Sequence, residues 1–563
     1  MKSGIFKNKL ILFIFLILLI GVFSCKEAQK NEVDKLFAEW DKPDSPGCAL
    51  GFIKDGKFIY KRGYGMANLE YSIPITSKTI FRIGSTSKQF TAMCILFLEE
   101  QGKLSVDDDI RKHLPEMPEY EKPITIRHLI HHTSGIRDYL TLMDIAGARG
   151  DDFYADSEVV DLLARQKELN FTPGEEHLYS NSGYFLLSEI VKKVTGKSMR
   201  VFAEENIFKP LGMKNTHFHD DHTMVVKNRA SGYSPRKKDG FRINMTTLGM
   251  IGDGGVFTSV DDLYFWDQNF YNNKLGKGDQ DLISRLLTVG ILNNGEKLDY
   301  GFGIAVTEYR GLKMVSHGGA FVGFRAEMIR FPEQKFSVIV LANLGTINPS
   351  RLARKVADIY LVDYFKEEKK APSEKPKFVK LSEAELKEKT GAFYDKSQDR
   401  FLKVTLKEDK LFIDVFYFKF QIKPVSQTRF MAVEAPIDQE IEFEKQDKGK
   451  PMLLHMHREE GKPSTYEAVR FVTPTPAQLA EYEGDYFSEE LRVAYKINLD
   501  TGKLFLRHEN SHKSYPKEPL EPTFKDRFIL PDFQLKFFRN KQKEITSFTV
   551  NAGRVKNIRF EKK

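Results

Sequence analysis

The sequence predicts an α/β protein, in which an antiparallel sheet covered by helices, with a helical subdomain, is followed by two small all-β barrels. Three observations support this prediction. A hairpin pattern and a later meander of alternating strands flank a long helical insertion. Beyond a charged segment the chain repeats itself in strand-like patterns. The length of 563 residues is also too great for a single core.

The N-terminal residues predict an export signal. Three lysines precede an apolar run that is shorter than the roughly 20 residues of a membrane span and fits a signal peptide core. Ser24 before Cys25 resembles the cleavage site of a bacterial lipoprotein, with the lipid carried on Cys25. We therefore expect a signal peptide over 1–24 and a tether over 25–40, which would anchor the protein to a membrane of the cell envelope. The bulky Phe23 departs from this pattern and leaves plain secretion or an uncleaved anchor open.

The charge and the cysteine content of the chain limit which partners and cross-links we expect. The net charge of +8 is spread along the chain, which indicates solubility and no nucleic-acid partner. Only Cys48 and Cys94 follow Cys25, too few for a disulfide framework, and Cys94 is expected to be a buried hydrophobe. We expect no cofactor and no metal.

The first domain is predicted over residues 41–365. It opens with a hairpin from Cys48 to Glu70, whose turn at Asp55-Gly56 suits positive φ angles. Residues 81–230 are predicted to be mainly helical. The predicted helix stops are Gly135, Gly196 and Gly212.

The domain closes with a predicted meander and helix. From Tyr300 onward, alternating strands turn at Arg310-Gly311 and at Pro332-Glu333. An amphipathic helix is then predicted from Ser350 to Phe365. Hairpin, helical insertion, meander and closing helix together favour an antiparallel sheet covered by helices.

The remaining chain predicts a linker and two repeats. Residues 366–380 are charged, contain proline and show no periodicity, which is typical of a linker. "LKEKTGAFY" in the first repeat (381–472) matches "LAEYEGDYF" in the second (473–563), and "KLFI" matches "KLFL". Both repeats alternate apolar and polar residues, so each is predicted to form a small β-barrel.

A candidate nucleophile lies at the start of an apolar helix. Ser85 and Lys88 form an S-x-x-K pattern, which places both side chains on one face of a helix, one turn apart. The lysine can take the hydroxyl proton, and the helix N-terminus stabilises negative charge at the serine. The same pattern occurs at Ser234 and Ser514, but in polar, proline-containing segments.

Two further motifs offer partners for that serine. Tyr179 and Asn181 form a Y-x-N pattern before a helix, where a phenol can transfer protons and an amide can hold a substrate group. His317-Gly318-Gly319 lies on a predicted meander strand, where the two glycines let a ligand approach the backbone.

The order of the three motifs resembles the penicillin-recognising serine enzymes, namely class C β-lactamases, D,D-carboxypeptidases, D-aminopeptidases and related esterases. The resemblance covers roughly residues 40–365 and includes the phrases "HHTSGIRDY", "PLGMKNTHF" and "GDGGVFTSVDDLYFW". It implies that Ser85 forms an acyl-enzyme and that Lys88 and Tyr179 act as general bases. It also implies that Asn181 holds a substrate amide, and that the N–H groups of Ser85 and Ala320 form an oxyanion hole.

The third motif separates this chain from true β-lactamases. Their group uses K-T-G, whose only copy here, starting at Lys389, falls on the first β-repeat and is rejected. His317, with an ordinary pKa near 6.5, is mostly neutral at pH 7, whereas a lysine would be a fixed cation. We therefore expect weak β-lactam turnover and activity on amides or peptides of D-amino acids, or on esters. The D-aminopeptidase branch is similar in having H-G-G and two β-barrels, here expected to be lipocalin-like.

Two other classes of protein are also compatible with the sequence. The string T-H-F-H-D-D-H over residues 216–222 has the ligand pattern of zinc hydrolases, but it follows a predicted helix end, and we expect it on an exposed turn. The chain could also be a non-catalytic envelope binding protein that works through its barrels. Chelator sensitivity and a serine-directed probe distinguish these classes.

Overall fold

The computed structural model describes residues 27–563, apart from 151, 237, 367–377, 398, 416–417, 434–438, 448, 458–462, 509–518 and 532. The predicted signal peptide and Cys25 lie outside the described residues, as does most of the predicted linker. None of the helices in the described part of the chain combines the length and apolarity of a membrane span.

Helices and strands are numbered in chain order. The helices are α1 (27–37), α2 (Lys88–Glu100), α3 (Ile126–Ile130), α4 (Tyr139–Ile145), α5 (Asp156–Ala164), α6 (Asn181–Thr195), α7 (Met199–Ala203), α8 (Lys209–Leu211), α9 (Val260–Asn269), α10 (Asp281–Leu286), α11 (Pro349–Tyr360), α12 (Glu383–Lys387) and α13 (Pro476–Ala480). Tighter 3-10 turns span Gly84–Ser87 and Ile110–Lys112, and a π-helical turn spans Glu204–Phe208.

The strands of the first domain are β1 (Cys48–Lys54), β2 (Lys57–Tyr64), β3 (Met66–Asn68), β4 (Ile73–Pro74), β5 (Phe81–Arg82), β6 (His217–Phe218), β7 (Tyr233–Pro235), β8 (Phe241–Ile243), β9 (Val256–Thr258), β10 (Ala305–Tyr309), β11 (Leu312–Phe321), β12 (Phe324–Phe331) and β13 (Phe336–Ala342). The strands of the C-terminal region are β14 (Gly391–Asp395), β15 (Arg400–Lys407), β16 (Lys410–Val415), β17 (Phe418–Pro424), β18 (Arg429–Val433), β19 (Glu440–Glu444), β20 (Leu453–His457), β21 (Ser464–Val469), β22 (Gly484–Ser488), β23 (Val493–Asp500), β24 (Lys503–His508), β25 (Glu521–Pro522), β26 (Arg527–Ile529), β27 (Gln534–Arg539), β28 (Ile545–Ala552) and β29 (Val555–Lys562).

An antiparallel sheet of order β10-β11-β12-β13-β1-β2 forms the centre of the first domain. The predicted hairpin is confirmed, and its turn residues Asp55 and Gly56 have φ angles of 49° and 74°. The predicted meander is also confirmed as β10–β13, with Arg310-Gly311 in the first turn. The closing helix α11 ends at Tyr360, earlier than predicted.

Helices cover both faces of this sheet because its buried strands alternate between two cores. On β13, Val338 and Val340 face a core shared with α1 and α11. Ile339 and Leu341 face the opposite core, shared with α2 and α9. A strand that is apolar on both faces requires cover on both sides.

The prediction of a tether over residues 25–40 is wrong for helix α1. Residues 25–40 are predicted to be a tether, yet Val33 and Phe37 on α1 are completely buried against the sheet. The Phe37 ring stacks on Tyr64 of β2, with centroids 4.9 Å apart. Two buried apolar side chains make residues 27–37 part of the packed domain, so any free tether is shorter than predicted.

Two of the three helix ends predicted in the helical insertion are confirmed. Gly196 and Gly212 cap α6 and α8 in the left-handed conformation, with φ angles of 70° and 81°. Gly135 does not cap a helix, because α3 already ends at Ile130. It lies in a close turn instead, where a Cβ atom would meet the Phe171 carbonyl oxygen at 2.1 Å.

The two repeats form the predicted β-barrels. Strands β14–β21 make a closed barrel. Strands β22–β29 make an eight-stranded sheet whose ends approach through a bridge between Leu504 and Leu520. Gly391 and Gly484 begin the equivalent strands β14 and β22 with φ angles of 143° and 150°. The two repeats are therefore alike at this position in backbone conformation as well as in sequence. Lys389 of the rejected K-T-G packs inside the first barrel, over the Phe443 ring.

A buried ion pair fixes α9 to the central sheet. Arg330 on β12 donates from Nε to Asp267 Oδ1 on α9 at 2.8 Å, and Ser337 on β13 donates to the same oxygen at 2.7 Å. Both charged side chains are 1% exposed.

We expect Arg330→Met to lower the free energy of unfolding by about 3–5 kcal/mol, because it leaves the Asp267 carboxylate buried without its cation. Lys61→Met is the matched control, since Lys61 pairs with Asp261 at a partly exposed site where a pair contributes about 0–1 kcal/mol. The measurement is urea denaturation followed by tryptophan fluorescence, because Trp40 packs against the core of the central sheet and Trp266 lies on α9. Equal losses in the two variants would contradict the prediction.

Candidate active site

The candidate nucleophile lies in the tight turn that leads into α2. The 3-10 turn Gly84–Ser87 runs directly into α2, which begins at Lys88, so Lys88 Nζ comes within 3.4 Å of Ser85 Oγ. Gly84 has a φ angle of 50°, and a Cβ atom there would lie 2.9 Å from the backbone nitrogen of Ala320. The glycine therefore lets the turn pack directly against β11.

The Lys88 side chain is completely buried in the centre of the site. Its Nζ donates to Asn181 Oδ1 at 3.0 Å and to the Asp253 carbonyl oxygen at 2.5 Å. The same nitrogen lies 4.8 Å from the centre of the Tyr179 ring. A buried amino group is costly without such partners, so these contacts fix the lysine next to the serine.

Tyr179 presents an unengaged hydroxyl to the site. Among the described residues, its buried Oη atom has no hydrogen-bond partner. Its ring packs on His132, with centroids 4.1 Å apart, and the Ser180 backbone N–H donates to His132 Nδ1 at 3.2 Å. Burial holds the pKa of His132 well below its ordinary value, so this imidazole is a neutral platform for the tyrosine.

Asn181 is positioned by the start of α6. Its backbone N–H donates to Asp138 Oδ2 at 2.8 Å, while its side chain holds Lys88. The Asp138 carboxylate also caps α4 by accepting from the Thr141 backbone N–H at 3.2 Å. One buried carboxylate thus fixes the relative position of α4 and α6 at the site.

His317 lies on β11 and is held as a neutral imidazole. Its Nδ1 lies 2.6 Å from the Gly318 carbonyl oxygen, which can only accept, so Nδ1 carries the proton. Its Nε2 therefore accepts from the Tyr300 hydroxyl at 2.9 Å. Burial, reinforced by nearby Lys88, lowers the pKa of His317 to about 4. This agrees with the neutral histidine predicted from the sequence.

Ser85, Tyr179, Asn181 and His317 border one cavity of about 780 Å³, and the buried Lys88 lies next to it, in contact with Ser85. The structure brings together every residue that the motifs single out, namely Ser85, Lys88, Tyr179, Asn181, His317, Gly318, Gly319 and Ala320. Sequence reasoning missed Asp253, Tyr300, His132 and Asp138. Three of these lie within phrases noted only for their resemblance: Asp253 in "GDGGVFTS", and His132 and Asp138 in "HHTSGIRDY".

The second barrel also reaches this cavity. The turn between β28 and β29 carries Arg554, whose guanidinium lies 4.8 Å from the Tyr179 ring centre and 3.6 Å from Asp138 Oδ2. Nothing in the repeat pattern distinguishes this arginine, because only docking of the barrel brings it to the site.

The histidine string is placed differently from the prediction. His217 and Phe218 form β6, which pairs with β9, and His219 is buried rather than exposed on a turn. His217 Nε2 and His219 Nδ1 lie 3.2 Å apart, and burial lowers their pKa values to about 4 and about 3. Within the described ranges, no group of three or more histidine, cysteine, aspartate or glutamate side chains is arranged to hold a metal. His222 is exposed, as predicted.

The fold and site define a serine hydrolase of the penicillin-recognising type. The sequence matches the Beta-lactamase family over residues 33–362, and the chain belongs to that family. It is 30% identical to a D-aminopeptidase of Gluconobacter oxydans over 298 residues, which is 53% of this chain and 56% of the relative. The chain thus spans just over half the length of the D-aminopeptidases it matches.

Two similarities extend into the C-terminal region. The chain is 29% identical to penicillin-binding protein 4* of Bacillus subtilis, with 79% of this chain and 99% of the relative covered. The octameric penicillin-binding protein homologue of Pyrococcus abyssi superposes with a TM-score of 0.56 at 26% identity. That match covers 78% of this chain and 99% of the other.

The low pKa of His317 predicts a pH-dependent stability. Its pKa is about 4 in the fold, below the ordinary value of 6.5, so its contribution is complete above about pH 6.5 and is lost as the pH falls toward 4. We expect His317→Gln, which keeps a neutral polar side chain, to weaken the pH dependence of the urea midpoint between pH 6.5 and 4. The matched control is His222→Gln at an exposed histidine. An unchanged slope in His317→Gln would show that His317 does not contribute.

Proposed function

We propose that the protein is a secreted or lipid-anchored serine hydrolase that acts on D-amino-acid amides, D-peptides or esters through an acyl-enzyme, with weak β-lactam turnover. One observation carries the proposal: Ser85 and Tyr179 border a single cavity, and the buried Lys88 Nζ lies 3.4 Å from Ser85 Oγ and 4.8 Å from the centre of the Tyr179 ring, whose hydroxyl is unengaged. This combination supplies a nucleophile, a group to take its proton and a free proton carrier.

Acylation follows from the placement of these groups. Ser85 Oγ attacks the substrate carbonyl carbon while its proton passes to Lys88 Nζ, 3.4 Å away. The developing oxyanion is held by the backbone N–H groups of Ser85 and Ala320, since the packing of Gly84 on Ala320 brings the two segments together. Tyr179 then donates its proton to the leaving group and is reprotonated from Lys88, which breaks the amide or ester bond.

Deacylation uses the same groups in reverse. A water molecule attacks the acyl carbon and gives its proton to Tyr179 Oη, while Tyr179 passes its own proton to neutral Lys88 Nζ. Lys88 then donates that proton to Ser85 Oγ as the bond between Ser85 and the acyl group breaks. Asn181, held between Lys88 and the start of α6, is placed to hold the substrate amide. His317 keeps β11 in place beside Ser85 through its hydrogen bond with Tyr300.

The third motif and the similar proteins both support one class of substrate. A neutral His317 gives β11 no fixed cation for the carboxylate of a β-lactam. The similarity to D-aminopeptidases supports amides and peptides of D-amino acids. A position on the periplasmic side or the surface of the cell envelope, with lipid on Cys25, completes the proposal and rests on the N-terminal residues alone.

A serine-directed label tests the nucleophile. We expect a fluorophosphonate to add to Ser85 stoichiometrically, and we expect Ser85→Ala to lose both the label and all hydrolysis of D-amino-acid amides. Ser234→Ala is the matched control, because Ser234 carries the same S-x-x-K pattern outside the cavity. Intact-mass and peptide mass spectrometry locate the adduct.

Two outcomes would favour the other classes of protein. Stoichiometric zinc and activity that EDTA removes would support a zinc hydrolase using the cluster of His217, His219, Asp221 and His222. An unlabelled protein with no turnover of amides, peptides, esters or β-lactams would support a non-catalytic binding protein.

Charge at position 317 gives a second test. We expect His317→Lys to increase the rate of acylation by benzylpenicillin, because a lysine there adds a cation for the substrate carboxylate. The measurement is the rate of adduct formation by mass spectrometry, with His317→Gln as the neutral control. Acylation that is unchanged or slower than in the wild type would contradict the charge argument.

A further inference from the structure

Arg554 is a charged side chain that the proposed mechanism leaves unused. It comes from the second barrel, far along the chain from the three motifs, yet it lines the same cavity as Ser85 and Tyr179. Its guanidinium lies 4.8 Å from the Tyr179 ring centre, so it is next to the group that gives the leaving group its proton. Its side chain is 42% exposed, which leaves donors available on the cavity side.

The backbone around Arg554 is held rigidly against the catalytic domain. Asn170 donates from Nδ2 to the Arg554 carbonyl oxygen at 2.9 Å and accepts from the Lys556 backbone N–H at 2.8 Å. Arg137 donates to the carbonyl oxygens of Lys556 and Asn557 at 2.9 and 3.1 Å. The arginine is therefore presented from a fixed turn, and a preorganised group binds a ligand at a lower entropic cost.

The charges around the cavity favour an anion. Five arginines border the cavity, namely Arg82, Arg325, Arg351, Arg354 and Arg554. Among the described residues that line it, Asp253 is the single acidic residue. The Asp253 carboxylate accepts from the Tyr139 hydroxyl at 3.1 Å. The Asp138 carboxylate, 3.6 Å from Arg554, is 1% exposed and already accepts from two backbone N–H groups. Arg554 thus retains hydrogen-bonding capacity toward the cavity.

We propose that Arg554 is a specificity-determining residue that binds a carboxylate on the leaving group of the substrate. The second barrel then supplies a cation beside Tyr179, on the side of the proposed leaving group, whereas the neutral His317 leaves β11 without one. This inference rests on the proposed hydrolase function and narrows its substrates to D-peptides with a free carboxylate after the scissile bond. A guanidinium is suited to this role because its planar donors match a carboxylate in a bidentate pair.

A matched pair of substrates tests the assignment in the full-length protein. The first is an N-acetylated D-alanyl dipeptide with a free C-terminal carboxylate, and the second is the same dipeptide as its C-terminal carboxamide. We expect Arg554→Gln to lower kcat/KM for the carboxylate substrate by about tenfold to a hundredfold, the usual effect of losing a hydrogen bond to a charged group. We expect a change of less than about twofold for the carboxamide, and partial recovery in Arg554→Lys.

Lys556→Gln, two residues further along at the start of β29, is the matched control. Its side chain pairs with Glu176 at 3.5 Å and lies outside the cavity, so both substrates should keep wild-type kcat/KM. Equal losses on both substrates in Arg554→Gln, or no loss on either, would overturn the assignment while hydrolysis by the wild type upholds the proposed function. If the wild type hydrolyses neither substrate and Ser85 takes no label, the proposed function itself fails.

Discussion

The burial of the Lys88 amino group is the constraint on which the rest of the site depends. A lysine nitrogen that is shut away from water must be surrounded by acceptors, and these come from three separate parts of the chain. The turn before α2 supplies Ser85, the start of α6 supplies Asn181, and the segment before β9 supplies Asp253. The hydrogen bonds that the Lys88 amino group requires therefore determine how the helical insertion packs against the sheet.

The second layer of contacts fixes these acceptors in turn. Asp138 holds the start of α6, His132 supports the Tyr179 ring, and Tyr300 orients His317. Each of these groups is buried, and each contacts a neighbouring protein group rather than a substrate. The reacting groups are consequently held in position before any substrate enters, which is the arrangement that favours catalysis by preorganised dipoles.

The sequence predicts the local parts of this arrangement well and the remote parts poorly. Ser85 and Lys88 are one helical turn apart, Tyr179 and Asn181 flank a helix start, and His317 lies beside two glycines, so short-range spacing is enough to find them. Arg554 has no such signal, because its role depends on how a barrel docks. The burial of His219 was missed for the same reason, since pairing of β6 with β9 is a long-range contact. Likewise α1 is short and charged, and only its two buried apolar residues show that it is packed.

The fully buried Arg137 has a consequence for the order in which the enzyme is assembled. Its guanidinium belongs to the catalytic domain, but its carboxylate partner Glu490 and two of its carbonyl acceptors belong to the second barrel. Until that barrel has been synthesised and folded, this guanidinium lacks these partners and the cleft lacks one wall. The second barrel therefore has to dock before the cavity carries Arg554 and before the buried Arg137 guanidinium has its carboxylate partner.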